Sequence, residues 1–305
     1  MGPWGDLREG ARMRRRAFAV VMLGAAGMAR GAGRAGGGGS EAAPVLENRW
    51  SVKAKGATGI AKAAYGEMAR LQNCELMQMS VPGAPDVGSP REGTTDATVR
   101  LLKMGMDAAP LLAEVLDDTT PTKTVPGAGR FRNAKPWTVS MVAGQIIRRV
   151  CGRDFAVGDG TSAHTLGEVG EHPELAEAFA KQITAWVAAN RNRTEAERKV
   201  ADVSDGWFRN RLDAVEWLGR NKTKAGRGAI EAYIDRTLVG MEKKEDSLKE
   251  AELSECALAL GQIGEKESLP KVRAACAKLS AAWGLRGGMT GSMDISTTVM
   301  AYKGM

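Results

Sequence analysis

Apolar residues recur at steps of three and four in residues 247–283, where they form two separate stripes. The first stripe comprises Leu253, Cys256, Ala257, Leu260 and Ile263. Such spacing places the side chains on one face of an α-helix. Ser247 and Glu250 have the spacing of a capping box at the start of this helix, and Gly264 offers its end.

A second helix follows, which Ser268 can cap and which has Pro270 in its first turn. Its stripe comprises Leu269, Val272, Cys276, Leu279 and Trp283. Because only a short turn separates the two stripes, we expect an antiparallel hairpin. Cys256 and Cys276 would then face each other. Packed helices lie about 8–10 Å apart, which exceeds the span of a disulfide, so we expect adjacent free thiols. A disulfide is the alternative, because small neighbours such as Ala257 and Ala275 could allow a closer approach.

Three further helix pairs are predicted upstream, with residues 60–71 as a leading helix. The pair nearest the hairpin carries Trp207, Phe208, Leu212, Val215 and Leu218, then Ile230, Ile234, Thr237, Leu238 and Met241. The earliest pair carries Val99, Leu102 and Met106, then Leu111, Leu112, Val115 and Leu116. A looser pair carries Val139, Val142, Ile146, Ile147 and Val150, then Leu175, Phe179, Ile183 and Trp186. The fold class predicted is therefore all-α, with about four helix pairs.

The ends of two pairs share a local pattern. Residues 102–105 (Leu-Lys-Met-Gly) precede Pro110, and residues 261–264 (Gly-Gln-Ile-Gly) precede Pro270. This pattern resembles the HEAT-like repeat family of bacterial helical solenoids, over roughly residues 95–118 and 205–283. The resemblance implies a stack of hairpins whose concave face binds partners. Long insertions at 119–136 and 151–172 depart from it, and an irregular helical bundle is the alternative.

The N-terminus has the three-part layout of a secretory signal. Arginines at 14–16 precede twelve uncharged residues at 17–28, and small residues follow around Ala35. Residues 15–18 (Arg-Arg-Ala-Phe) fit the core of a twin-arginine signal. The uncharged stretch is too short to span a bilayer, which takes about 20 residues. A basic disordered arm is the alternative interpretation.

These patterns divide the chain into four segments. We expect an export signal at 1–35, a flexible glycine-rich linker at 36–58, a HEAT-like helical domain at 59–285 and a flexible C-terminal tail at 286–305. The formal net charge of the chain is +7. Seven arginines and two acidic residues in 1–35 account for +5 of it, so the remaining 270 residues carry only +2. Removal of the signal would leave a nearly neutral protein.

One basic run offers a candidate contact surface for phosphate. It comprises Arg209, Arg211, Arg220, Lys222, Lys224 and Arg227. Some HEAT-like proteins bind the DNA backbone on a basic concave face. Asp213 and Glu216 lie within the same run. The favoured interpretation is therefore an ordinary solvated helix face.

Both histidines of the chain lie in the segment 151–172. Asp159, His164 and His172 could supply oxygen and nitrogen ligands to a metal ion. Their spacing matches no familiar metal motif, and we expect a solvated insertion instead. The four cysteines show no Cys-x-x-Cys pairing. We therefore predict no catalytic residue, no cofactor and no metal site.

The resemblance and the N-terminal pattern together predict an exported, periplasmic or extracellular protein-interaction scaffold without enzymatic activity. The expected partner is another protein. Neither nucleic-acid binding after signal removal nor an integral membrane segment is expected. Two alternatives stay open. One is a cytoplasmic, nucleic-acid-associated HEAT-like protein. The other is a HEAT-like lyase-type enzyme, which needs a polar cleft bearing an acid.

Overall fold

The computed structural model describes residues 48–78, 85–125, 135–158, 163–240 and 247–284. All of them belong to the unit Val45–Met305. The fold is mostly helical with few short strands, which confirms the all-α class. The predicted export signal at 1–35, the glycine-rich segment at 36–47 and the predicted C-terminal tail at 286–305 lie outside the described residues.

The N-terminal half combines short helices with two small antiparallel strand pairs. Its elements in order are α1 (Arg49–Gly56), α2 (Gly59–Met68), β1 (Leu76–Gln78), β2 (Pro85–Pro90), α3 (Ala97–Lys103), α4 (Ala109–Ala113), α5 (Val139–Cys151), β3 (Ala156–Val157), β4 (His164–Thr165) and α6 (Ala176–Asn190). β1 pairs with β2 and β3 pairs with β4. The pairing places Leu76 opposite Pro90, and Val157 opposite His164.

The C-terminal half is built mainly from longer helices. Its elements are α7 (Glu195–Asp202), α8 (Phe208–Arg220), α9 (Arg227–Gly240), α10 (Ser247–Ile263) and α11 (Leu269–Gly284). A single-turn 3-10 segment precedes both α9 and α11. α8 packs along α10, and α9 packs against α11. The N-terminal half repeats this scheme with shorter helices, because α3 packs against α5 and α4 against α6.

Buried apolar side chains form two separate clusters. We call the cluster that runs from Trp50 to Val187 the N-terminal core. The cluster that runs from Val203 to Leu279 is called the C-terminal core. Each core is made by residues that are neighbours in the sequence, so the chain completes one core before it enters the other.

The hairpin predicted for residues 247–283 is confirmed as α10 and α11, which pack against each other. The first predicted stripe is buried along its whole length: Leu253, Cys256, Ala257, Leu260 and Ile263. Gly264 ends α10 with a φ of 80°, a backbone conformation that glycine adopts without steric cost. The side chains of Ser247 and Trp283 lie outside the described residues.

The predicted register of α3 is wrong. The stripe was expected at Val99, Leu102 and Met106, but these are only half-buried. The fully buried side chains of this helix are Ala97, Thr98 and Leu101. A helix of seven residues makes fewer than two full turns, so its period weakly constrains which face is buried. Neighbouring elements decide the burial instead.

The linker predicted at 36–58 extends too far along the chain, because α1 occupies its last residues. The Asn48 side chain accepts hydrogen bonds from the backbone N–H groups of Trp50 and Ser51, which caps this helix. Trp50 is 2% exposed, and its indole Nε1 donates to Asp118 Oδ2 at 2.6 Å. Burial of this large ring ties the segment to the N-terminal core.

α7 and both strand pairs escaped prediction. Thr194 and Glu197 form a complete capping box at the start of α7, so that signal was present in the sequence. β2 has six residues, but its Pro85, Gly88 and Pro90 are residue types that are depleted in strands. β3 and β4 are too short for alternation to be detected. Residues 156–157 and 164–165 offer only two positions each.

The joint between the two cores is polar. Asn210, on α8, accepts from Asp154 N at 2.9 Å and donates to Asp154 O at 3.0 Å. Arg153 forms ion pairs with Asp202 at 2.7 Å and with Asp205 at 2.5 Å. Lys199 donates to Gly152 O at 2.7 Å. Directional bonds therefore fix the orientation of the halves at this point.

Candidate functional site: an arginine-lined cleft

An open cleft of about 340 Å³ lies at the polar joint. Three elements form it: β2, the C-terminal end of α5 with the residues after it, and the first half of α8. The charged side chains that line it include Asp86, Arg148, Arg149, Arg153, Asp154, Arg209 and Asp213. Guanidinium groups and carboxylates from distant parts of the chain thus meet in one place. We call this feature the arginine cleft.

Asp86 holds Arg149 against β2. Its carboxylate accepts from Gly88 N at 2.9 Å and from Ser89 Oγ at 2.8 Å, and it pairs with Arg149 at 2.5 Å. Burial opposes ionisation of Asp86, but these bonds outweigh it and hold its pKa below the ordinary value. A Cβ on Gly88 would lie 3.0 Å from the Arg149 guanidinium, so glycine allows this close approach.

Asp154 holds Arg148 at the floor of the cleft. The Asp154 carboxyl is 6% exposed, and its Oδ2 lies 3.1 Å from the Arg148 guanidinium. Its Oδ1 accepts from Phe155 N at 2.9 Å. Burial raises the pKa of Asp154, and Arg148 and Arg209 counteract part of that shift. Both oxygens are therefore already engaged by the protein.

Arg209 differs from the other arginines of the cleft. It is exposed, and its guanidinium lies 5.8 Å from the centre of the Phe208 ring. Across the described part of the chain it forms no ion pair, whereas Arg148, Arg149 and Arg153 each pair with a carboxylate. Arg209 is thus the cation of the cleft that stays open to an external anion.

The basic run predicted as a contact strip does not form a continuous cationic surface. Four of its members pair with carboxylates: Arg211 with Glu252, Arg220 with Glu216, Lys224 with Glu265, and Arg227 with Glu231 and Glu267. Lys222 lies in the turn after α8 with a φ of 50°. Arg209 alone among the six lines the arginine cleft. The solvated, charge-balanced interpretation of the run agrees with this geometry.

Sequence reasoning missed most of the cleft. Arg148 and Arg149 lie in the last turn of α5, and Arg153 and Asp154 follow directly. Three arginines within six residues at a helix end were a local signal. Asp86 and Arg209 lie far away in the sequence and join them only through folding.

The segment 151–172 brings its two histidines together. The His164 and His172 rings lie 4.1 Å apart between centroids. Asp159, the third ligand considered from the sequence, lies outside the described residues. Among the side chains that the structure does describe, no group of three or more His, Cys, Asp and Glu is arranged to hold a metal ion.

All four cysteines are free. Cys256 is buried and Cys276 half-buried, on the two helices of the predicted hairpin, so the expectation of unbonded thiols agrees with the structure. Burial raises the pKa of Cys74 to about 11 and that of Cys151 to about 12. Near neutral pH these thiols stay protonated and are poor nucleophiles.

Among the helices of the described residues, none combines the length and the apolar character needed to cross a membrane. The HEAT-like resemblance therefore depends on the residues that carry it, since no family model, curated protein or solved structure matches this chain.

Proposed function

We propose that this chain is a non-catalytic interaction scaffold that binds an acidic segment of a partner protein in the arginine cleft. One observation carries the proposal: the exposed guanidinium of Arg209 lies in an open cleft beside Arg148 and Arg149, without a carboxylate of its own among the described residues. An incoming carboxylate would supply the missing partner.

Arginine suits this role because its planar guanidinium presents several N–H donors in a fixed fork that matches a carboxylate. Asp86 and Asp154 orient Arg149 and Arg148 from behind, so the donors that remain free are already held in place. Preorganised groups lose less conformational entropy on binding. The cleft is open, so an extended segment can lie along it.

A protein partner fits the charge of the cleft better than a nucleic acid. Asp86, Asp154 and Asp213 line the cleft together with its arginines, so its net charge is small. Binding to nucleic acid depends on many simultaneous phosphate contacts. Four of the six cations in the basic run are committed to carboxylates of the chain itself. A short acidic segment needs only one or two free guanidinium groups.

The HEAT-like architecture and export belong to the same proposal. Stacking of α8 on α10 and of α9 on α11 supports the repeat, because equivalent helices of successive hairpins are neighbours. The proposal of export rests only on the amino-acid sequence of residues 1–35. N-terminal sequencing of protein from its native host tests it: loss of residues 1–35 is expected, and a retained Met1 or Met13 would contradict it.

The lyase-type alternative gains a polar cleft with acids, and Asp213 lines it without an ion pair among the described residues, but the chemistry also needs an acid that holds its proton. Asp154 is the carboxyl whose pKa is raised, as a proton donor requires. Its Oδ1 and Oδ2 already bond to Phe155 N and to Arg148. The geometry therefore favours a structural role for Asp154, and the binding function is retained.

A titration of a fluorescent octapeptide of Glu and Gly residues with the full chain tests the cleft. Arg209→Gln should weaken binding about tenfold, the effect of losing one charge-assisted hydrogen bond. Arg220→Gln is the matched control, because Arg220 is exposed on the same helix but lies outside the cleft. Equal effects of the two substitutions would contradict the proposal, as would tighter binding of a single-stranded oligonucleotide.

A further inference from the structure

The chain has two histidines, and its fold brings both into ring contact. The centroids of His164 and His172 are 4.1 Å apart and their planes are tilted by 48°. His164 lies on β4, and His172 lies just before the turn that leads into α6. Both side chains are half-buried, so solvent and ions can reach them.

The backbone around the two rings is firmly held. His164 is paired with Val157 across the β3–β4 ladder, and Leu166 N donates to Phe155 O at 2.9 Å. His172 N donates to Glu168 O at 3.2 Å and to Val169 O at 3.3 Å. The Leu166 and Val169 side chains between the histidines are fully buried. The close approach of the rings is therefore built into the fold.

A carboxylate fixes the hydrogen on one ring. His172 Nδ1 lies 3.1 Å from Glu174 Oε1. An ionised carboxylate only accepts hydrogen bonds, so Nδ1 carries the hydrogen and the Nε2 lone pair of a neutral ring stays free. A carboxylate behind a histidine is the usual arrangement around histidine-bound metal ions, where it orients the ring and increases its basicity.

Acidic side chains surround the pair. Glu168 and Glu174 both interact electrostatically with both rings. The Glu168 carboxylate is also fixed by Thr165 N, which donates to it at 2.6 Å. A positive ion bound to the ring nitrogens would therefore lie in a favourable field, whereas an anion would be repelled.

From these contacts we propose that His164 and His172 bind a divalent transition-metal ion of the zinc class, with Glu174 as the positioning residue of His172. Imidazole nitrogen suits Zn²⁺, Cu²⁺ and Ni²⁺, and it is a poor ligand for Mg²⁺ and Ca²⁺. Within the described residues the two imidazoles are the protein ligands, and water completes the coordination. The proposal is independent of the arginine cleft, which it shares no residue with.

Calorimetric titration of the full chain with Zn²⁺ in metal-free buffer tests the site. We expect the unsubstituted chain to bind one Zn²⁺ ion. His164→Ala and His172→Ala should each weaken the Zn²⁺ affinity at least about tenfold. Glu171→Gln is the matched control, because Glu171 is an exposed acid of the same segment. It should leave the affinity unchanged within about twofold, since its side chain orients neither ring. Unchanged affinity in both histidine variants, or equal binding of Mg²⁺, would overturn the proposal.

A second measurement on the unsubstituted chain does not depend on the variants folding. Long-range ¹H–¹⁵N correlation spectra of the full chain should contain two imidazole spin systems, because the chain has two histidines. Zn²⁺ should shift a ring nitrogen of both, and on His172 it should shift Nε2 while Nδ1 keeps its hydrogen. Shifts in one ring only, or in neither, would refute a shared site.

Discussion

The two cores of this protein solve the same packing problem in different ways. The C-terminal core is lined by helices of 13 to 17 residues, whose buried positions follow the helical period. The N-terminal core contains two long helices, α5 and α6, but also helices of five, seven and eight residues and two strand pairs. Long helices fix their own buried face, whereas short ones depend on their surroundings.

Side-chain hydrogen bonds replace helical regularity in the N-terminal core. The buried Thr124 hydroxyl donates to Cys74 O at 3.2 Å and accepts from Leu76 N at 3.1 Å. Thr122 Oγ1 donates to Trp137 O at 2.8 Å. Cys74 O and Trp137 O also accept from the backbone N–H groups of Lys123 and Thr122, so the hydroxyls reinforce backbone pairing outside the regular elements. Residues 122–124 and Trp137, in the described parts of the connection between α4 and α5, are thereby fixed to the core.

Ionic and hydroxyl contacts of a buried glutamate join three helices of the C-terminal core. Glu252, which is 3% exposed, pairs with Arg211 at 2.5 Å and accepts from the Tyr233 hydroxyl at 2.5 Å. These contacts join α8, α9 and α10. Burial is the first cause that raises the pKa of Tyr233 to about 12, and the bond to Glu252 adds to it. The phenol therefore remains a donor across the physiological range.

The largest expected effect is the loss of stability when a buried leucine is truncated in one core or the other. Leu260→Ala in α10 and Leu112→Ala in α4 each remove a fully buried side chain. Each should cost about 2–5 kcal/mol of unfolding free energy, the usual cost of truncating a buried leucine. Urea denaturation measures the loss, and Leu248→Ala, at an exposed position of α10, is the control.

Hydrogen exchange of the same variants sharpens the comparison. Leu260→Ala should accelerate exchange in residues 203–279, and Leu112→Ala in residues 50–187, because the cores share few apolar contacts and can open separately. Uniform acceleration across both halves in either variant would show instead that they unfold as one unit. A loss under about 0.5 kcal/mol would place Leu260 outside the core.

Asn210→Ala tests the joint that connects the cores. The substitution removes the side chain that bonds to both buried backbone groups of Asp154, its N–H and its C=O. We expect a loss of about 2–4 kcal/mol, since each unsatisfied buried group costs about 1–3 kcal/mol. Asn221→Ala, at the exposed end of the same helix, should change stability by less than about 0.5 kcal/mol. Equal losses of unfolding free energy in the two variants would show that the Asn210–Asp154 bonds do not stabilise the joint.

Gly219→Ala tests how closely two helices of the C-terminal core approach. A Cβ on Gly219 would lie 2.7 Å from Ala259 Cα, so α8 and α10 must separate. The expected loss is about 1–3 kcal/mol, in the range of overpacked cores. Gly228→Ala is the control on α9, where the new methyl group meets open space. It should stabilise the protein by up to about 1 kcal/mol in thermal denaturation. A neutral Gly219→Ala would mean that the helices pack less tightly.

The smallest expected effect is a change of slope with pH. Burial raises the pKa of Asp154, so the folded protein binds a proton there that the unfolded chain releases. This contribution favours folding in acid and is lost as pH rises above about 4. Asp154→Asn has no such proton. Its stability relative to the unsubstituted protein should therefore improve between pH 4 and pH 7, measured by urea denaturation at each pH. If the relative stability of Asp154→Asn instead falls over this range, the ion pair with Arg148 outweighs burial and lowers the pKa of Asp154.

Predictability from the sequence followed the length and regularity of each element. Most of the positions predicted for α5, α6, α9 and α10 are buried, because several turns repeat the same period. α8 buries only Val215 and Leu218 of its five predicted positions. α1 was missed because Asn48 and Trp50 follow a glycine-rich stretch, and the signal for burial is a partner, Asp118, far along the chain. The arginine cleft was missed for the same reason, since Asp86 and Arg149 meet only after folding.

Separation of the cores along the chain has a consequence for the order of synthesis. Every member of the N-terminal core precedes Asn190, so this half can assemble while the remaining residues are still on the ribosome. Domains that emerge first generally fold first. The backbone N–H and C=O of Asp154 would then lack their Asn210 partner until that residue emerges. The polar joint thus forms after the first half, and a nascent chain from which residue 190 but not Asn210 has left the ribosome should hold a formed first half without the joint.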